Sequence, residues 1–427
     1  MTGRPAPFPA GTRVLHVGPH KTGTTTVQAA FHQNREAAAA QGVVYPGKGP
    51  HPMLGAMAAA TGTPLAGRTL AEGEAQWARI VAEVAAAGEA TTVVSSEFLC
   101  EATPDRIGPL VQDMGADRIQ VVITLRPLVR ILASQWQQYM QNGAALRPAD
   151  CGPYEAWLHD LLDDPGSSTV TPSFWRRHTH DRLVRTWVEA VGADRVSVVV
   201  VDERDRRGVL DAFEALTSLT PGTLEPRELT ANRSLTLSEV EMLRAFNERY
   251  REHGWKVADH TRLVRFGSLR HLQQRTPLPE EPKVLTPQWA VDRVCELGAA
   301  MAEGIAATGV RVVGDLSLLG DPSVARGVGA NPDVVPVPVE VAARHVAGLV
   351  TRLDELRPDR GPAMGEIGAA VRADKRARST PAQSAAWQRE ADDLRAQLGA
   401  TLRADELSRP QLARVLAGRV RRRLLGR

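Results

Sequence analysis

Short unbroken apolar runs and longer stretches of helical spacing alternate along this chain. Val14-Leu15-His16-Val17 is the first run; it ends in Gly18 and reads as a buried strand entering a loop. Thr24 to Gln41 is alanine-rich with few breakers, which predicts a helix stopped by Gly42. The pattern then repeats. A helix is expected over Glu72 to Ala87, a β-branched strand over Thr91 to Ser95, a strand over Ile119 to Leu125 and a helix from about Pro127 to Gln141. Another helix follows over Phe174 to Val191, then a strand over Val196 to Val201 with a helix after it to about Leu219. Thr236 to His253 and Pro287 to Ala307 read as further helices, and Val310 to Leu318 as an edge strand or closing segment. Strands alternating with helices predict an α/β domain: three layers around a central parallel sheet, with the ligand site at the carboxyl ends of the strands.

Asn331 to Pro338 is a proline-interrupted linker, so a boundary is expected near 330, with an α/β domain over 1–330 and a helical C-terminal extension over 331–427. At 427 residues, 43% hydrophobic and 24% charged, the chain has the makeup of an ordinary soluble protein. It contains no apolar run of about 20 residues for a membrane helix and no N-terminal apolar stretch for a signal peptide, so a cytoplasmic location is expected. Cys100, Cys151 and Cys295 are widely spaced and suggest neither a zinc site nor a disulfide framework. The net charge of +3 hides an asymmetry: residues 401–427 carry +6, leaving −3 on the rest. By charge, the body is not a nucleic-acid binder. The basic end reads as a solvated terminus, with peripheral contact to anionic lipid or an acidic partner as the alternative.

The candidate chemistry begins at Gly18-Pro19-His20-Lys21-Thr22-Gly23-Thr24-Thr25. A glycine-containing loop between a strand and a helix directs backbone amides and the positive end of the helix dipole at an anion. Lys21 adds a mobile charge, and Thr24 and Thr25 add hydroxyls in the first helical turn. The order is not that of the nucleoside-triphosphate loop GxxxxGK[ST], because the lysine precedes the glycine. A second stretch, Leu125-Arg126-Pro127-Leu128-Val129-Arg130-Ile131-Leu132-Ala133-Ser134-Gln135-Trp136, follows a later strand directly. Arg126 is expected at that strand's carboxyl end, with Pro127 in the first helical turn and Arg130 and Ser134 on one helical face. An arginine fork and a serine beside the first site suit a second phosphate, and two anion sites fit one nucleotide.

Together, "KTGTT" and "RPLVRILASQW" resemble the two cofactor motifs of the sulfotransferases that use 3′-phosphoadenosine 5′-phosphosulfate (PAPS) as co-substrate. The resemblance covers about residues 13 to 140 and continues more weakly through 186–203 and 232–247, the last segment looking like bacterial sulfotransferase-like proteins. It implies a P-loop-like fold in which Lys21, Thr22, Gly23, Thr24 and Thr25 bind the 5′-phosphosulfate and Arg126 and Ser134 bind the 3′-phosphate. His20 stands where the family commonly has proline. The resemblance also implies transfer to a hydroxyl of a carbohydrate, glycolipid or other small metabolite, without a metal. Lys21 would stabilise the leaving oxygen.

For the base, Glu97 just past the strand Thr91 to Ser95 is the first candidate, as a carboxylate of raised pKa; a capping or solvated glutamate is the plain alternative. His51, on the loop Gly47 to Pro52, is the second. His20 either joins the cofactor site or only shapes the loop. His178 and His180 point apart on a helix and complete no metal set. The tryptophans read as core, with Trp136 a candidate to flank adenine or acceptor. Arg233 and Ser234 are expected near the nucleotide, or Ser234 as a helix cap. The acceptor depends on loops at about 42–70, 143–172 and 254–286, whose composition names no ligand. Two other functions remain open at this stage: a P-loop kinase using ATP, and a nucleotide-binding protein without catalysis that works as an interaction module.

Overall fold

The computed structural model describes residues 5–65, 67–143, 152–165, 172–225 and 233–356. The expected helical extension beyond 356 and its basic end lie outside them, as do Cys151 and 144–151 and 166–171 of the expected acceptor loop. One compact unit runs to Leu353, so the boundary expected near 330 falls within it.

Strand β1 (Arg13–His16) leads through the glycine loop into α1 (Thr24–Gln33), then α2 (Arg35–Ala39), β2 (Val43–Val44), α3 (Met53–Thr61) and α4 (Leu70–Ala86). Next come β3 (Thr91–Ser95), a 3-10 turn at Glu97–Glu101, α5 (Pro104–Met114), β4 (Ile119–Leu125), a 3-10 turn at Leu128–Arg130 and α6 (Leu132–Asn142). Helices α7 (Tyr154–Leu162), α8 (Pro172–His178) and α9 (His180–Val191) precede β5 (Val196–Val200) and α10 (Gly208–Leu216). The chain then forms α11 (Leu237–Glu252), α12 (Val257–His260), a π-helical stretch at Thr261–Ser268, α13 (Leu269–Gln273) and α14 (Gln288–Ala306). It closes with β6 (Arg311–Val313) and α15 (Val339–Glu355).

Among the described residues six strands pair, all in parallel, in the order β2-β3-β1-β4-β5-β6. Alternate residues of the central strands feed two cores, which is why those strands are apolar on both faces. Val14, Val93, Val122 and Val199 pack with Phe31 of α1 and Phe213 of α10. Leu15, Val94, Val121 and Val198 pack with Trp77 of α4, Leu110 of α5 and Trp187 of α9. A third core, built from α6, α7, α11, α14 and α15, surrounds Trp136, Trp157, Leu243, Val294 and Val341.

The topology creates the crevice. From β1 the chain goes toward β2, and from β4 it goes the other way toward β5, so the loops after these two neighbouring strands part at their carboxyl ends.

Three expected helices are interrupted. Thr24 to Gln41 divides at Asn34, whose side-chain amide donates to the Ala30 and Glu225 carbonyls. Phe174 to Val191 divides at Thr179, whose hydroxyl returns to the Trp175 carbonyl. Pro127 is extended, with ψ 129°, so it is not in a helical turn; a 3-10 turn comes first and α6 starts at Leu132.

Candidate functional site

The loop after β1 is held from inside the sheet. His16, fully buried, places Nδ1 2.8 Å from the Ser95 hydroxyl of β3 and Nε2 3.0 Å from the Thr124 hydroxyl of β4. Burial drives its pKa down to about 3, so the ring is neutral and ties three adjacent strands together. Thr22 donates to the Pro19 carbonyl and lies 3.0 Å from Thr124 Oγ1. Its hydroxyl is therefore committed to the loop. A methyl group on Gly18 would lie 2.5 Å from the Thr124 hydroxyl, so this approach of loop to sheet requires glycine.

Two left-handed residues shape the turn: Gly23, at φ 87°, and Lys21, at φ 69°. For a lysine that conformation costs about 1–2 kcal/mol, a strain that concentrates at functional sites. The amides of Thr26 and Val27 return to the Gly23 carbonyl, while among the described residues no acceptor takes the amides of Lys21 to Thr25. Unengaged amides at a helix N-terminus are the donor set with which proteins hold anions. Thr24 is buried and Thr25 exposed. Lys21 Nζ has no hydrogen-bond partner among the described residues, and burial first, then nearby Arg126, lowers its pKa.

Arg126 joins the two motifs: its Nη1 donates to the Lys21 carbonyl at 3.1 Å. Its Nη2 bonds Glu203, which lies just past β5 and also takes Arg130 Nη2, with Arg326 Nη1 3.4 Å away. Burial, then Arg130 and Arg326, brings the Arg126 pKa down to about 10. Ser134 lies one turn on, its hydroxyl donating to the Ile131 carbonyl at 2.9 Å. A cavity of about 230 Å³ opens beside this cluster, lined in part by Arg130, Glu203, Arg204, Ser323 and Arg326.

On the other flank of β1, Glu97 accepts from Gln28 of α1 at 3.0 Å, and His51 Nδ1 stands 3.9 Å from its carboxylate. The two base candidates therefore meet. Burial pushes the Glu97 pKa up, but His51, the Gln28 hydrogen bond and His20 outweigh it and hold the carboxyl below its ordinary range. The raised pKa expected from sequence is thus corrected. His20 packs edge-on to Phe98, with Nε2 3.7 Å from Glu101. Burial lowers its pKa. Glu101 is buried and bonded by Arg176 at 2.6 Å and Arg177 at 2.6 and 2.9 Å; against the cost of burial, His20 and the two arginines hold its pKa to about 2.

No family model, curated protein or solved structure matches this chain. The site is read from its own geometry.

The crevice gathers Lys21, Arg126, Glu97, His51 and His20 from the loops after four neighbouring strands, β2, β3, β1 and β4. Other expected residues are placed elsewhere. Trp136 is fully buried against Tyr154 in the helical core, so it flanks no ligand. Arg233 is engaged by Glu239 and by the Leu272 and Arg275 carbonyls. The α11 cap is Thr236, not Ser234. His178 and His180 are buried, and among the described residues no group of three or more His, Cys, Asp or Glu side chains is arranged to hold a metal. Nor is any described helix long and apolar enough to cross a membrane. Sequence reasoning missed Glu203 and Arg326. Glu203 had the same signal as Arg126, a charged residue at a strand's carboxyl end, whereas Arg326 had none.

Proposed function

We propose that this chain is a sulfotransferase of the P-loop kind, moving a sulfuryl group from PAPS to a hydroxyl of a carbohydrate, glycolipid or other small metabolite. One observation carries the reading: the Arg126 guanidinium donates to the Lys21 carbonyl, so the lysine loop and the arginine stretch share one crevice with Glu97 on its far side. The residues suit a nucleotide with two anionic ends. Free amides and Lys21 serve one end, and Arg126, whose buried Nε has no partner, serves the other.

Bound PAPS would supply a sulfuryl group on a phosphate leaving group. Lys21 and the loop amides would neutralise charge developing at the leaving oxygen. Glu97, ionised and steadied by Gln28, would take the proton of the acceptor hydroxyl, with His51 beside it. Thr22 and His16 act by holding the loop, and the Ser134 hydroxyl must turn from the Ile131 carbonyl to reach a phosphate.

Calorimetric titration with adenosine 3′,5′-bisphosphate tests the reading. We expect binding to the bisphosphate in preference to magnesium-ATP, weakened about 10- to 100-fold by Lys21→Ala or Arg126→Ala, the scale of charge-assisted hydrogen bonds. A preference for ATP would turn the reading toward a kinase. Absence of binding to either would end it.

A further inference from the structure

We propose that Glu203 is a resident counter-anion: its carboxylate fills the place where Arg126, Arg130 and Arg326 converge, and an incoming phosphate binds by displacing it. Both carboxylate oxygens are used, Oε1 by Arg126 and Oε2 by Arg130 and Arg326. Among the described residues nothing but these guanidinium groups bonds that carboxylate. It belongs to the loop between β5 and α10, where no backbone ladder fixes it.

Three cations face one anion. Arg126 is pushed down by burial and by Arg130 and Arg326, and its buried Nε is left without a partner. A phosphate dianion has one more charge and more acceptor oxygens than a carboxylate, so it neutralises this cluster better. The cavity of about 230 Å³ beside Arg130 and Arg326 gives the displaced side chain room. Glu101 provides the contrast. It too is bonded by two arginines, yet it is only 3% exposed where Glu203 is 23%, and it is packed beside His20. Glu101 is built in, and Glu203 is placed to leave.

The consequence is selectivity by exchange. A weak monoanion gains too little to evict the carboxylate, whereas a doubly charged phosphate gains enough. The nucleotide reading enters only through the choice of ligand; the three-arginine contact stands without it.

The test compares the wild type with Glu203→Gln and Arg326→Ala in titrations with adenosine 3′,5′-bisphosphate, inorganic pyrophosphate and sulfate. Glu203→Gln should tighten bisphosphate binding about tenfold or more, because an opposing charge is removed from the phosphate's place. It should also tighten pyrophosphate and sulfate binding, and its melting temperature should rise with sulfate more steeply than that of the wild type. Arg326→Ala, at a side chain 63% exposed and therefore safe for folding, should weaken bisphosphate binding. Equal or weaker binding by Glu203→Gln would overturn the displacement, and unchanged binding by Arg326→Ala would overturn the three-arginine site. If the wild type binds no bisphosphate, pyrophosphate binding that is tighter in Glu203→Gln than in the wild type still supports the inference, and no capture by either form overturns it. Tighter anion binding without sulfuryl transfer in any form would sink the sulfotransferase reading and leave the counter-anion in place.

Discussion

Glu97 has its charge state set by its neighbours. Burial alone would favour the neutral acid, but Gln28 and the flanking His51 and His20 reverse that. A carboxyl held low is ionised throughout the neutral range, ready to accept a proton but with less basicity to draw it. Glu97→Gln keeps the Gln28 contact within reach and removes the base. Transfer should fall by about 100-fold or more while bisphosphate binding is retained. Single-turnover rates beside calorimetry would check this, and unimpaired transfer would remove Glu97 from the chemistry. The lysine loop shows the same dependence on surroundings. Lys21 sits in a left-handed conformation beside a glycine that lies close against Thr124 and a threonine tied to the Pro19 carbonyl.

At the scale of elements, the sequence was legible wherever one residue type decided the outcome. Thr236 to His253 was readable as a helix from its spacing but not in its cap, which was looked for at Ser234; α11 carries a capping box at Thr236, whose Oγ1 accepts from the Glu239 amide while the Glu239 carboxylate accepts from the Thr236 amide. Thr236→Ala should therefore cost about 1 kcal/mol, read as a lowered urea midpoint. A loss near zero would mean that Arg233 and Arg275, which also hold Glu239, fix the helix start without the cap. The apolar runs of β1, β3, β4 and β5 were equally plain, since a strand buried on both faces leaves no alternation to misread. Less could be read where tertiary contacts decide. The expected helices part at Asn34 and Thr179, a choice that propensity does not foretell. β2 is two residues long and had no pattern to show. In the site, Lys21 and Arg126 were readable because their place after a strand is a local fact. Arg326 reaches Glu203 from more than a hundred residues away, and Glu97 gained its low pKa from partners on other elements.

For the whole molecule, the buried histidines govern the response to acid. His16 is lowered to about 3 and His180, His260 and His345 to about 4, while His178 is lowered well below 6.5, in every case chiefly by burial. Each binds a proton in the unfolded chain below about pH 6.5 but stays neutral when folded, so stability falls as pH falls through that window. The loss is about 1.4 kcal/mol per pH unit for each such group. Five together would consume a typical stability of about 5–15 kcal/mol near pH 5. The urea midpoint should drop steeply between about pH 7 and 5; a flat profile would show that these rings protonate without unfolding. The sheet itself carries a different consequence. Its longest strand, the seven-residue β4, is interior, and the outer strands β2 and β6 have two and three residues. So short a rim gives another chain almost no backbone to zip onto. Strand addition to the described sheet would first have to open the domain, which ties that route to aggregation to how fast the native state unfolds.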